Sequence, residues 1–405
     1  MRRRSLPWYW FGLANLVVVC GLSLGFWYLL VDPHFHVFNV YPEPFDEALF
    51  WAILMVVFIG FNLEFHWFDR LPQPLRGVTL ILVTSGLAIG ITALFTGWGH
   101  FDPAFSSKVA MGNGYFLAAL FVLFGFFTYL TIVINWDHWP WRHLGLKQPW
   151  IGIAEIGATT GPTVVLYALF ALPNLASWAK PGHNLLDVPT TIGVVYSIIV
   201  VAIVTGLLTE NWPWRLAGPG GRTALASLVG NISAGIGLYF LLRVVVKAFL
   251  GSHTTAALSP NFNEYPAQLG VCWVFWMIMW SNAFDNRPTG FSAAVNYTIR
   301  IVLTLALGIG TFFLYSYVLA QHVLHEPVVT GHFAGNALGW MDWMVLMILF
   351  YIVYLGSYGI PGLPEVSAAE PERVDEVFDD HAAGTETGNG TGTGAGTSTE
   401  PVRSR

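Results

Sequence analysis

Ten separate stretches of mostly apolar residues run along this 405-residue chain, at about 8–31, 46–64, 77–96, 113–134, 150–172, 189–209, 223–250, 266–283, 292–320 and 338–358. A run of about 20 such residues, wound as a helix, matches the thickness of a bilayer's hydrocarbon core. Lipid offers no partner to a free backbone N–H or C=O, and the alternating pattern of a barrel strand is absent, so helices are the solution the pattern allows. The expected fold is an all-α integral membrane protein of about ten transmembrane helices. Composition agrees: 55% of residues are hydrophobic and only 10% are charged, against roughly 25% charged in an ordinary soluble domain. Too little charge is present to cover a water-exposed surface, which excludes a soluble enzyme, a nucleic-acid binder and a disordered chain. Cys20 and Cys272 both lie in apolar runs and imply no disulfide framework.

Lysine and arginine set the expected orientation. With the N-terminus in the cytoplasm, Arg2, Arg3, Arg4, Arg70, Arg76, Arg142, Lys147, Arg215, Arg222 and Arg287 all fall inside, and only Lys108 and Lys180 fall outside. Both termini are then cytoplasmic in a cell-membrane protein. The first span lacks a small-residue cleavage site and reads as a retained helix. Residues 363–405 hold nine acids against three arginines, which accounts for the whole net charge of −6, and then become rich in Gly and Thr. Such a segment buries too little apolar surface to offset its ordering entropy and is expected to be a disordered cytoplasmic tail beside a membrane domain at 1–362.

The even-numbered spans end alike. Asn62, Asn135, Asn211 and Asn282 are spaced by 73, 76 and 71 residues, and a further 74 reaches Gly356. Turns such as Asn135-Trp136-Asp137-His138-Trp139-Pro140-Trp141-Arg142 and Asn211-Trp212-Pro213-Trp214-Arg215 follow them. Odd spans echo one another through Gly12-Leu13-Ala14-Asn15, Gly152-Ile153-Ala154-Glu155, Leu228-Val229-Gly230-Asn231 and Ala293-Ala294-Val295-Asn296. The pattern predicts five tandem two-helix hairpins of about 74 residues, at about 7–62, 63–135, 136–211, 212–282 and 283–358. An odd number of hairpins suggests a ring or an irregular bundle. Interfacial Trp, inner-leaflet Arg and helix-stopping Pro explain the turns without any chemistry. Their functional reading is a cytoplasmic face that docks partners in a membrane complex.

Two groups of residues stand out as candidate sites. Ionisable side chains at membrane depth cost about 2.5–3.5 kcal/mol on insertion scales and call for a reason. Glu155 and Arg300 lie at similar depths and could pair. Asn15, Asn231 and Asn296 sit at the matching level of their own helices. Together these five predict a polar layer in the inner half of the bundle, on the path of a small solute or ion. The second group is histidine. His34, His36, His100, His183, His253, His322, His325 and His332 fall in or beside the outer loops, accompanied by Asp32, Glu43, Asp46, Asp102, Asp187, Glu264 and Glu326. Neutral imidazole with carboxylate support is a common environment for copper or zinc. His34, His36, His100, His183, His253, His325 and His332 are the candidate metal ligands. Asp342, near the outer start of the last span, is a candidate partner of Arg243 or Lys247.

The chain has no Gly-x-x-x-x-Gly-Lys phosphate loop and no Gly-x-Ser-x-Gly elbow. The first expectation is a multi-pass transporter or channel for a small solute or ion. The alternatives are a membrane-embedded copper or zinc enzyme with an extracytoplasmic His-rich site, and a structural subunit of a membrane complex. The lipid bilayer is a partner in each, and nucleic acid in none.

Overall fold

The computed structural model describes residues 6–360 apart from 36–37, 39, 109–112, 181 and 331–332; the acidic tail, His36 and His332 lie outside the described residues. Nine helices among them are long and apolar enough to cross a membrane, which fits a multi-pass membrane protein. They are α1 (Trp8–Val31), α2 (Phe45–Asn62), α3 (Leu75–His100), α4 (Gly114–Ile134), α5 (Trp150–Leu175), α6 (Val188–Leu208), α7 (Gly221–Leu258), α9 (Ala293–His322) and α10 (Ala337–Tyr354). The tenth expected span is also a helix, α8 (Tyr265–Ala283). Gln268, Ser281, Asn282 and three tryptophans leave it less apolar than the others. A short antiparallel ribbon, Val328–Thr330 with Phe333–Ala334, joins α9 to α10.

The helices divide into two layers. α2, α4, α6, α8 and α10 pack each against the next, and α10 closes on α2, so they form a ring of five. In α2, α4, α6 and α10, 67%, 61%, 67% and 94% of the apolar span is buried, against 22% or 28% in α1, α3, α5, α7 and α9, which lie outside the ring. The apolar residues of ring helices run all round the axis, as burial on every side requires.

One contact ties each outer helix to a ring helix distant from it in sequence. Gln73 Nε2 at the start of α3 donates to Tyr354 O of α10 at 2.7 Å, and Gln148 Nε2 before α5 donates to Asn62 O of α2 at 2.8 Å. Trp136 Nε1, just past α4, donates to Ser227 Oγ of α7 at 3.1 Å, and Arg300 of α9 donates to Leu208 O of α6 at 3.1 Å. Gly12 of α1 meets the ring of Phe284, just past α8. Without a hydrophobic drive between helices in lipid, close packing over small residues and such polar links hold a bundle together. Gly152 shows the close approach: a Cβ there would stand 2.6 Å from Asn62 O.

The ring helices end in one shared backbone device. Two successive residues take left-handed φ after each: Glu64 and Phe65, Asp137 and His138, Glu210 and Asn211, Asp285 and Asn286, Gly356 and Ser357. The second N–H of each pair reaches the carbonyl six residues back, at Ile59, Ile132, Thr205, Trp280 and Tyr351, over 2.7–3.2 Å. This bond gives a partner to a carbonyl of the last helical turn. Only one of the ten left-handed residues is glycine, although side chains disfavour this region. The device does not follow the asparagine spacing: Asn62 and Asn135 precede its second left-handed residue by three, Asn211 is itself that residue, Asn282 precedes it by four, and Gly356 precedes it by one.

Candidate functional site

The residues expected to form one polar layer are all buried, and each bonds its own separate set of partners. Glu155, fully buried on α5, lies 2.8 Å from His138 Nδ1 and accepts from Asn62 Nδ2 at 2.9 Å. His138 Nε2 is 3.4 Å from Glu64, which also takes Arg142 at 2.6 Å. Arg300 is not paired with Glu155. It donates to Leu208 O and Pro288 O at 3.1 and 3.0 Å and lies 3.8 Å from Glu210. Asn15 accepts from Ser357 Oγ at 2.7 Å, Asn231 joins Thr205, Trp214 and Asn135, and Asn296 bonds both backbone groups of Phe291. Glu155, Asn15, Asn231, Asn296 and Arg300 all belong to outer helices, which places them on the flank of the ring. Buried polar groups with full partners are the usual state of a folded protein. His138, which links Glu155 to the surface, was missed because it reads as part of a loop. Its signal was the Asp-His pair behind a ring-helix asparagine.

At the opposite end, two predicted histidines come together across the fold. The rings of His34 and His325 lie 5.1 Å apart, and His325 Nδ1 is 2.8 Å from Asp32 Oδ2. Asp32 also accepts from the backbone N–H of His34 and Phe35, which fixes the loop. His100, His183, His253 and His322 are exposed. Among the described residues no three His, Cys, Asp or Glu side chains are placed to hold a metal ion.

The same end of the ring contains a cavity of about 180 Å³ whose lining is split by chemistry. Glu43, Asp46, Glu47, Glu264 and Asp342 supply carboxylates, and Phe50, Phe116, Leu120, Leu123, Phe126 and Ile192 supply an apolar wall. Local structure positions each acid. Asp46 and Glu47 stand in the first turn of α2, where the helix dipole favours negative charge. Asn336 caps α10 through Leu338 N at 3.0 Å and sets the turn that carries Asp342. Glu264 is the residue before α8, held by Gln268 Nε2 at 3.4 Å. Among the described residues no Lys, Arg or His lines this cavity. Asp342 does not pair with Arg243 or Lys247; its neighbour is Tyr196 Oη at 3.4 Å, while Arg243 lies over the Phe262 ring.

Two of these acids have an oxygen with no partner. Glu47 is 2% exposed and its Oε2 is unbonded, as is Asp46 Oδ1. Beside the cavity, Glu326 is 3% exposed. Its Oε2 accepts from Tyr315 Oη at 2.6 Å and Asn336 N at 3.1 Å, and its Oε1 is unbonded. Burial pushes Glu264 and Glu326 up to about 7, and also raises Glu43. A buried carboxylate is costly unless paired, so the group either holds its proton or takes a cation. Sequence reasoning named Glu43, Asp46, Glu264 and Asp342 only as companions of other groups and missed Glu47. Their meeting depends on the ring closing, which no local pattern records.

No protein-family model matches the chain, and neither a curated protein nor a solved structure shows significant similarity to it.

Proposed function

We propose that this chain is a cation-handling transporter of the cell membrane, and that the carboxylate-lined cavity at the head of the five-helix ring is its binding site. The observation that carries the reading is the unpartnered oxygen of buried Glu47 in a cavity with four further acids and no basic side chain. Beyond the cavity, Leu54, Phe124, Val200 and Met277 of the ring are fully buried, which favours a carrier that rearranges over a standing pore. The five outer-to-ring contacts and the caps spaced 73, 73, 75 and 71 residues apart support five tandem hairpins. On that plan α8 is the tenth crossing. The lysine and arginine bias supports a cytoplasmic side for the Trp-Pro turns and both termini, and on that orientation the cavity faces outward. The transport reading keeps the substrate class inferred from sequence and moves the site from the seams to the ring.

Flux through sealed proteoliposomes tests it. With an imposed potential, the purified chain is expected to carry monovalent cations, protons followed by a pH-sensitive dye inside and organic ammonium ions followed by radiolabel. Glu47→Gln and Asp342→Asn are each expected to lower the rate at least tenfold in protein that remains folded. No flux above empty vesicles, or flux unchanged in both variants, overturns the proposal.

A further inference from the structure

We infer that the ligand of this cavity is an organic ammonium ion, a primary amine carried on a body of about six carbons. The inference rests on the cation-handling reading above and names its substrate class. Three features of the lining converge on it.

The first is charge. Asp46 Oδ1 and Glu47 Oε2 are buried acceptors without donors, and Asp342 is 5% exposed with one long contact to Tyr196. An ammonium group brings three N–H donors and a positive charge, which is what such acceptors lack.

The second is the opposite wall. Phe50, Phe116, Leu120, Leu123, Phe126 and Ile192 offer no oxygen to an ion's remaining coordination sphere. A hard metal cation takes six or more oxygen ligands, from protein or water. Among the described residues no group of three acids, histidines or cysteines could hold one. An organic cation instead buries its body against this wall. The stabilisation follows apolar area removed from water, and aromatic faces add attraction for the charge.

The third is size. The cavity measures about 180 Å³. An apolar cavity of about 150 Å³ admits benzene. The space therefore suits a single ring or a short chain, with room left for one charged head.

Binding of chosen probes to the detergent-purified full chain decides the matter. Benzylamine and hexylamine are expected to raise the melting temperature saturably. Benzyl alcohol and hexanol, which share the body without the charge, are expected to bind at least tenfold more weakly. Glu47→Gln is expected to weaken benzylamine at least tenfold. If that variant fails to fold, weaker benzylamine binding is expected in the native chain on acidification from pH 8 to pH 5, the range in which Glu264 at the cavity takes up its proton. Equal affinity for amine and alcohol overturns the inference. So does a saturable rise in melting temperature with sodium or potassium and none with either amine, an outcome that leaves the cation-handling reading standing. Absence of both amine binding and cation flux overturns the two together.

Discussion

Two buried polar regions occupy opposite ends of the same bundle and are built on opposite principles. At the Trp-Pro end, both oxygens of Glu155 have partners, and Arg300 bonds two carbonyls while its Nε stays unbonded. At the histidine end, Asp46, Glu47 and Glu326 each retain an oxygen without a donor. Both regions contain charge where lipid makes charge expensive. The difference is that the buried acid at the first end has a partner on each oxygen, and the buried acids at the second do not. A completed set acts as structure, and an incomplete one marks a place for something from outside.

Paired substitutions give the largest contrast. Glu155→Ala strands His138 and Asn62 in a buried seam and is expected to cost about 3–5 kcal/mol, the range for breaking a buried pair. Glu47→Gln replaces a buried acid whose Oε2 has no partner and is expected to leave thermal stability nearly unchanged. Thermal denaturation in detergent compares them, and equal losses would erase the distinction between the two ends.

Acidity provides the next test, because Glu264 and Glu326 are raised to about 7 from 4.5. Between those values the folded chain binds more protons than the unfolded one, so stability falls as pH rises through that window. The ligand-free protein is expected to melt at a lower temperature at pH 8 than at pH 5. Saturating benzylamine is expected to remove most of the difference, and a melting temperature that climbs with pH would contradict the buried acids.

The smallest effect concerns the seams themselves. Gly152→Ala places a methyl against Asn62 O and is expected to destabilise by about 1–3 kcal/mol, as overpacking does. Gly21→Ala meets open space and is expected to stay within about 0.5 kcal/mol. A calorimetric scan separates them, and identical melting temperatures would show that the seam is loose.

Much of the fold was legible because apolar length is a local property. The spans read from sequence lie within a few residues of most of the helices, and Glu155 and Arg300 announced themselves by depth. The shared helix ends were less legible. Asparagine at 62, 135, 211 and 282 suggested equivalence, yet what the five ring-helix ends have in common is a pair of left-handed backbone angles, completed at Phe65, His138, Asn211, Asn286 and Ser357 despite unlike side chains. The cavity was hidden for another reason. Asp46, Glu47, Glu264 and Asp342 are scattered over nearly 300 positions, and their meeting is set by which helix closes on which.

That closure also orders events in time. During synthesis α10 is the final wall to be made, and it must slot between α2 and α8 with nearly its whole surface enclosed. Until it arrives, Asp46 and Glu47 face an open flank, and Asp342 has yet to join them. A nascent chain halted before residue 337 thus carries naked acids toward hydrocarbon, a state that quality-control proteases and insertases are equipped to notice.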